Sequence, residues 1–442
     1  MKAPRSVTNC LMLIVFAALL ATVSGCSSKK DSKGPALSGD EASRVYVEPG
    51  KYDEFYFFIS GGFSGQVSSY GIPSGRLLRV IPVFSVNPEN GWGYTEETKP
   101  MLMTSYGFIP WDDSHHAELS QTEGVPDGKW LFINGNNTPR IARIDLATFR
   151  TVEIIEIPNS AGNHSSPFTT PNSDYVVAGT RFSLPIENKD VPISTYKENF
   201  KGALSFIKVD KASGNMSVDF QIITPPFDYD LSHAGKGPSD GWFFFTCYNS
   251  EMAHTLLEVN ASQKDKDFLL AVNYRKIAEL AAQNKGTMGK TRFAHNVFDE
   301  KTQTASTEWV EQVRMINASD LKGLMYYIPC PKSPHGADVD PTGEYISAGG
   351  KLASVIPVYS FSKMIKAIEG NQTDGEIDGI PVLKYDACLS GEVQNPGLGP
   401  LHTEFDDKGF GYTSAFVSSE VVKWNVQTKE VVDRIPAYYS IG

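Results

Sequence analysis

The sequence predicts an all-β protein of the β-propeller type, and three observations lead there. Its 442 residues are about three times an ordinary domain, so one large domain or two ordinary ones is expected. Apolar residues make up 41% and charged residues 21%, which supports a folded core and excludes disordered, collagen-like and polytopic membrane classes. The 38 Gly, 27 Pro, 19 Tyr and 25 Phe favour strands and turns over a helical bundle. The formal charge is −11 with no basic run to neutralise phosphates, so nucleic acid is excluded as a partner.

The N-terminus reads as an address. Lys2 and Arg5 precede an apolar run from Leu11 to Ala21, about half of the roughly 20 residues that a membrane-spanning helix needs. This is a secretory signal over residues 1–25. Val23-Ser24-Gly25-Cys26 resembles a bacterial lipobox, which makes Cys26 the lipidated first residue of a membrane-anchored periplasmic lipoprotein. The alternative is a simple signal with Cys26 incidental. Residues 26–50, polar and poor in aromatics, read as a flexible tether.

Residues 51–442 repeat a loose unit in which an Asp or Gly turn opens an aromatic-rich strand. Asp127-Gly128-Lys129-Trp130-Leu131-Phe132-Ile133-Asn134 is followed by the alternating Arg140-Ile141-Ala142-Arg143-Ile144-Asp145. Similar openings stand at Asn172, Ser239, Asp340 and Asp407. Irregularly spaced units of this kind are propeller blades; a β-sandwich rarely needs so many residues. Helical periodicity is confined to Lys276–Ala282 and Phe361–Ile368, two insertions between strands.

Beyond Cys26 there are three cysteines, Cys247, Cys330 and Cys388, with no C-x-x-C or C-x-x-x-C pair, so any metal here is held mainly by nitrogen or oxygen. Histidines recur upstream of the turns. His335 and His402 precede Asp340 and Asp407 by five residues each, and His116 and His164 lie further upstream of their turns. The inner strands of a propeller line one axial channel, so residues at equivalent places converge, and several imidazoles there form a copper or zinc site. Ser64 in Gly62-Phe63-Ser64-Gly65 lacks the G-x-S-x-G spacing, which excludes a serine hydrolase.

These motifs together resemble nitrous-oxide reductase. The matching runs are Phe58-Ile59-Ser60-Gly61-Gly62, Gly91-Trp92-Gly93, Asp112-Asp113-Ser114-His115-His116, Leu131 to Asn134 with Arg140 to Ile144, and Cys247-Tyr248-Asn249-Ser250-Glu251. Pro334-His335-Gly336, Ala348-Gly349-Gly350-Lys351-Leu352, Leu398-Gly399-Pro400-Leu401-His402-Thr403 and Val421-Val422-Lys423-Trp424-Asn425 continue the match in order to the last residue. The resemblance implies a seven-bladed propeller followed by a cupredoxin domain. It also implies a four-copper sulfide cluster on seven His, which reduces N2O to N2 and water with two electrons and two protons. Five ligands match: His115, His116, His164, His335 and His402. Tyr248, Glu251 and Asp267 match a calcium site, although the family's Asn two residues before the Pro-His-Gly histidine is Ser333 here. The implied partners are N2O, a periplasmic electron donor such as a cytochrome or cupredoxin, and a second subunit in a head-to-tail homodimer.

Two departures qualify that expectation. The sequence supplies neither the last two cluster ligands nor the cupredoxin domain with its dinuclear copper centre, so the chain is expected to be a fragment with an incomplete propeller, inactive alone. The family gives no His at His233, which is read as structural, and His254 and His295 as surface or supporting residues. Lys351 is read as an exposed strand lysine, with proton supply as the alternative. The competing function is a non-enzymatic exported propeller that binds a ligand.

Overall fold

The computed structural model describes residues 39–248 and 267–441. They fall into two compact units, one of residues 1–55 with 71–76 and one of residues 56–70 with 77–442. In the smaller unit a six-residue helix, Gly39–Arg44, stands inside the segment expected to be a tether. Asp53 anchors its second segment, taking the Arg76 guanidinium at 2.7 Å and the Ser74 amide at 2.9 Å. Cys26 lies outside the described residues.

The larger unit is all-β, as expected, and built from successive antiparallel sheets. The strands Phe55–Ser60, Gln66–Ile72 and Leu77–Pro82 form sheet I. Five four-stranded meanders follow among the described residues. Sheet II comprises Ser114–Thr122, Val125–Gly135, Arg140–Asp145 and Arg150–Glu156; sheet III comprises Ser165–Thr169, Tyr175–Gly179, Phe200–Val209 and Met216–Thr224. Sheet IV comprises Asp228–Ala234, Phe243–Tyr248, Phe268–Val272 and Met325–Pro329. Sheet V comprises Asp338–Val339, Tyr345–Ser347, Val355–Ser360 and Leu389–Gln394, and sheet VI comprises Pro400–Phe405, Phe410–Ala415, Glu420–Asn425 and Val431–Pro436. The turns read at Asn172, Ser239, Asp340 and Asp407 lie between the first and second strands of sheets III to VI, whereas Asp127-Gly128 falls inside the second strand of sheet II. Both expected helices form, at Tyr274–Ala282 and Phe361–Glu369.

Strand periodicity explains the packing, because neighbouring residues of a strand point to opposite faces. Phe243 and Phe245 enter the core shared with sheet III, while Phe244 between them enters the core shared with sheet V. Leu131 and Ile133 face sheet I, and Phe132 faces sheet III. One apolar core fills each interface from I–II to V–VI. The strands of sheets II to V are therefore apolar on both faces, which is why their sequences read as nearly continuous hydrophobic runs. In sheet VI Trp424 is fully buried and its ring lies over Gly411, where an added Cβ would come within 2.7 Å of it.

A long hairpin, Thr287–Asp299 with Thr304–Asn317, joins the outer edges of two sheets. Its first strand pairs with Arg150–Glu156 of sheet II and its second pairs in parallel with Met216–Thr224 of sheet III. His295 belongs here, its Nε2 2.6 Å from Glu153, whose other oxygen accepts from Arg143 at 2.8 Å. It supports the join rather than the site described below.

Phe206, fully buried and stacked on Phe220 with centroids 4.8 Å apart, tests the inter-sheet cores. Phe206→Ala is expected to lower unfolding free energy by about 3–5 kcal/mol. Tyr438→Ala, at a residue 94% exposed, should stay within about 0.5 kcal/mol. Urea denaturation followed by Trp fluorescence measures both, and equal midpoints would contradict the packing described.

Candidate metal centre

The five histidines selected from the sequence come together. His115 and His116 come from the start of sheet II, His164 stands one residue before sheet III, His335 three before sheet V, and His402 lies in the first strand of sheet VI. Ring centroids are 4.6 Å apart for His115–His116, 4.7 Å for His115–His164, 5.3 Å for His164–His335, 4.6 Å for His335–His402 and 5.6 Å for His116–His402. Sheet IV contributes Asp230.

A recurring β-bulge turns these side chains inward. In sheet II, Ser114 pairs with Gly135 and Ala117 with Ile133, so His115 and His116 together oppose one residue, Asn134. That extra residue lets adjacent histidines leave the normal alternation and face one centre. Sheet IV has the same offset, with Asp230 and Leu231 opposite Thr246, and sheet VI sets Leu401 and His402 opposite Ser414. The residue opposite the bulge stitches one sheet to the next. Asn134 Oδ1 accepts from the His116 amide at 2.7 Å and its Nδ2 donates to the Asn163 carbonyl. Thr246 Oγ1 accepts from the Leu231 amide at 3.1 Å and donates to the His335 carbonyl at 2.7 Å. The glycines after His335 and before Lys351 serve close approach: a Cβ on Gly336 would meet the Leu401 carbonyl at 2.4 Å, and one on Gly349 at 2.7 Å.

The ring nitrogens are sorted by their partners. Nδ1 of His335 donates to Asp230 Oδ2 at 2.6 Å; Nδ1 of His164 lies 2.9 Å from Asp230 Oδ1 and 2.5 Å from its carbonyl. His116 Nδ1 donates to the His164 carbonyl at 2.8 Å, and His115 Nδ1 is 3.4 Å from Asp113. Facing acceptors alone, Nδ1 keeps the proton and Nε2 presents its lone pair. Yet Nε2 of His115 and His164 are 3.0 Å apart, and those of His335 and His402 2.9 Å. Converging lone pairs at this distance suit a metal ion, with metal–nitrogen bonds of about 2.0–2.1 Å.

Electrostatics favours the same state. Burial pushes the His164 imidazole down to about 3, although Asp230 pulls the other way. Burial, reinforced by neighbouring imidazoles, also holds His116 and His402 well below the usual range, and burial lowers His115. These rings are neutral at pH 7, as ligation requires. Burial alone would raise the Asp230 carboxyl, but Lys351, His335 and His164 hold it well below the carboxylate range.

Lys351 corrects the expectation of an exposed strand lysine. It sits in a turn, its side chain is 26% exposed, and its ammonium pairs with Asp230 and lies 3.5 Å from the Tyr248 hydroxyl. Of the calcium candidates, Glu251 lies outside the described residues, as does His254. Tyr248 and Asp267 occupy neighbouring strand ends, next to the Cys247–Phe268 pair. His233 stacks on Phe168, which stands next to His116, outside the Nε2 cluster. Sequence reasoning passed over Asp230 and Thr246, which lie in no motif, and met Asn134 and Asp113 only as members of matching runs, without a role.

Further along two of the inner strands, Glu118 and Glu404 share faces with His116 and His402. Burial pushes Glu118 up to about 7, against hydrogen bonds from Gln121 at 2.9 Å and Thr169 at 3.2 Å. A raised carboxyl costs nothing below its unfolded value near 4.5 and progressively more as pH rises towards 7. Glu118→Gln should therefore gain about 1–3 kcal/mol over the parent at pH 8 and lose that advantage at pH 4, read from urea midpoints at the two pH values.

The chain matches no protein-family model. It is 31% identical over 431 residues to a nitrous-oxide reductase of Pseudomonas fluorescens, covering 96% of this chain and 62% of the relative. It is 32% identical over 419 residues to that of Stutzerimonas stutzeri, covering 94% and 59%, and 29% identical to that of Ralstonia nicotianae (strain ATCC BAA-1114 / GMI1000), covering 96% and 65%. A solved Kuenenia stuttgartiensis hydrazine synthase is similar at 14% identity and a TM-score of 0.48, over 86% of this chain and 80% of that one, too distant to bear on function. The chain thus spans about three fifths of the length of the curated relatives it matches, and over nearly its whole length its sequence is similar to nitrous-oxide reductases at about 30% identity.

Proposed function

We propose that this chain is the metal-holding propeller portion of a nitrous-oxide reductase, in which His115, His116, His164, His335 and His402 hold copper and N2O is reduced to N2 and water. The observation that carries it is the convergence of five imidazoles, four of which turn Nδ1 to acceptors, with Nε2 of His115 meeting that of His164 and Nε2 of His335 meeting that of His402. The family resemblance implies copper for that donor set, and an all-nitrogen, thiolate-free set of borderline imidazole ligands fits it. Copper bound there would supply the two electrons for the reduction, received in turn from a periplasmic donor.

The chain's own residues hold and orient. Asp230 fixes two rings at once and anchors Lys351, whose ammonium can hold a proton at Nζ beside the cluster for the water that leaves. Asn134 and Thr246 fix the backbone of neighbouring sheets, which sets the separations of the rings. Tyr248 and Asp267, with Glu251, are proposed to hold calcium through hard oxygen ligands.

A further sheet supplying the remaining imidazoles, seven blades in all, completes this reading. Val432 and Ile435 on sheet VI are 51% and 63% exposed, and Tyr56, Ile59, Leu78 and Val80 on sheet I between 40% and 46%. Such apolar exposure suits a covered face. Ser414 stands opposite the bulge of sheet VI as Asn134 and Thr246 do in theirs, and its buried hydroxyl has no partner. Export, lipidation at Cys26 and a periplasmic setting belong to the same proposal, as does dimerisation in the longer protein.

Copper loading tests it. The purified chain, matured with copper and sulfide, should retain copper by elemental analysis after gel filtration. Asp230→Asn, which puts an N–H where a ring proton must be accepted, should weaken copper retention about 10–100-fold while leaving the thermal midpoint measurable. A folded parent that retains no copper would favour the ligand-binding propeller instead.

A further inference from the structure

Every imidazole contact described so far involves a group at or next to a ring. One side-chain chain runs further out. Arg181, in the turn after Tyr175–Gly179, donates from Nη1 to Asn136 Oδ1 at 3.1 Å; Asn136 Nδ2 donates to Asp113 Oδ2 at 2.9 Å; and that same oxygen lies 3.4 Å from His115 Nδ1. The backbone of these residues is tied to the same place. The Asn136 amide donates to the Asp113 carbonyl at 2.9 Å, the Asn163 amide reaches the Asn136 carbonyl at 3.4 Å, and the Arg181 amide donates to the Gly162 carbonyl at 3.2 Å. Asn136 therefore sits between the segments that carry His115 and His164, and Arg181 braces the second of them.

The chemistry of the links gives the chain a direction. An amide can be turned over, exchanging its acceptor and donor ends. A guanidinium offers donors only, so Arg181 requires the oxygen of Asn136 to face it and leaves the NH2 group for Asp113. Turned the other way, the amide would set NH2 against guanidinium and oxygen against carboxyl, unfavourable at both ends. With NH2 on Asp113, one carboxyl oxygen is held at 2.9 Å and kept where it faces His115 Nδ1. That contact is too long for a good hydrogen bond, so the position of this carboxyl, rather than a short bond, decides how strongly the ring is directed.

We propose that Arg181 and Asn136 are positioning residues for the metal centre: Arg181 fixes the orientation of the Asn136 amide, which holds Asp113 so that the His115 proton stays on Nδ1 and Nε2 faces the metal. This rests on the copper reading above for its consequence, and not for its geometry. Losing the chain should act on one ring of five.

The test uses Arg181→Met, which removes the donor, and Arg181→Gln, which keeps an N–H donor and removes the charge. In the metal-free protein, imidazole 15N chemical shifts of His115 report which nitrogen carries the proton. In the copper-loaded protein, release to a chelator is timed. The expected result is a shift of His115 from the Nδ1-protonated form and roughly tenfold faster copper release in Arg181→Met, with Arg181→Gln near the parent in both. If Arg181→Met matches the parent, the inference is overturned. If both variants change equally, charge rather than amide orientation is responsible, and it is likewise overturned. A parent that binds no copper refutes the copper reading alone, and the 15N shifts still decide the positioning role. Thermal midpoints of both variants establish that they are folded.

Discussion

One extra residue near the start of an inner strand is the constraint on which the site depends. A regular strand would send His115 and His116 to opposite faces, and would send Asp230 and His402 into the same alternation as their neighbours. The bulge in sheets II, IV and VI removes that choice. It also leaves an amide without a ladder partner, and a buried amide left so would cost about 1–3 kcal/mol. Asn134 and Thr246 meet that need and use their remaining hydrogen-bonding capacity on the next sheet. The irregularity that aims the ligands thus also fixes the distance between them.

Asp230 is the second element of the arrangement. A fully buried carboxylate is costly to desolvate, and its attraction to partners repays this only when its lone pairs are well engaged. Here the His335 N–H and the Lys351 ammonium engage Oδ2, and Oδ1 lies 2.9 Å from Nδ1 of His164, whose hydrogen bond goes to the Asp230 carbonyl. Removing any one leaves charge uncompensated, so this cluster is a poor source of stability and a strong determinant of geometry. The apolar cores between sheets carry the stability, and they lie outside the ring of imidazoles.

The sequence displayed the parts of this design that are local. Alternation around Trp130 to Asn134 and Arg140 to Asp145 marked strands; Asp-Gly and Pro-Thr-Gly turns marked hairpins; and the spacing of His335 and His402 from those turns reflected the length of a first strand. The two helices were visible from their period. Asp230 was not visible, because what makes it a site residue is a pairing offset with Thr246 and an approach by Lys351 from 121 positions away. Lys351 was misread for the same reason: its run of small residues suggested a strand, and only the contact with Asp230 shows where its charge goes. His233 shows the opposite case, since it too stands on a first strand upstream of an Asp-Gly turn, but Asp230 occupies the inward position in sheet IV and the His233 ring packs on Phe168 instead.

The hairpin across the outer edges of sheets II and III has a mechanical meaning. Any twist of one sheet against the other would have to shear two hydrogen-bonded ladders at their rim while also pulling the Met216 amide of sheet III from the buried Glu153 of sheet II, which accepts from it at 2.8 Å. The angle between these two sheets is clamped at the perimeter as well as at the axis. His115, His116 and His164 accordingly form a stiff triangle, and between sheets IV and V the short hairpin Thr373–Ile377 with Ile380–Leu383, leaving sheet V to pair in parallel with Met325–Pro329 of sheet IV, makes a corresponding outer link on the His335 side.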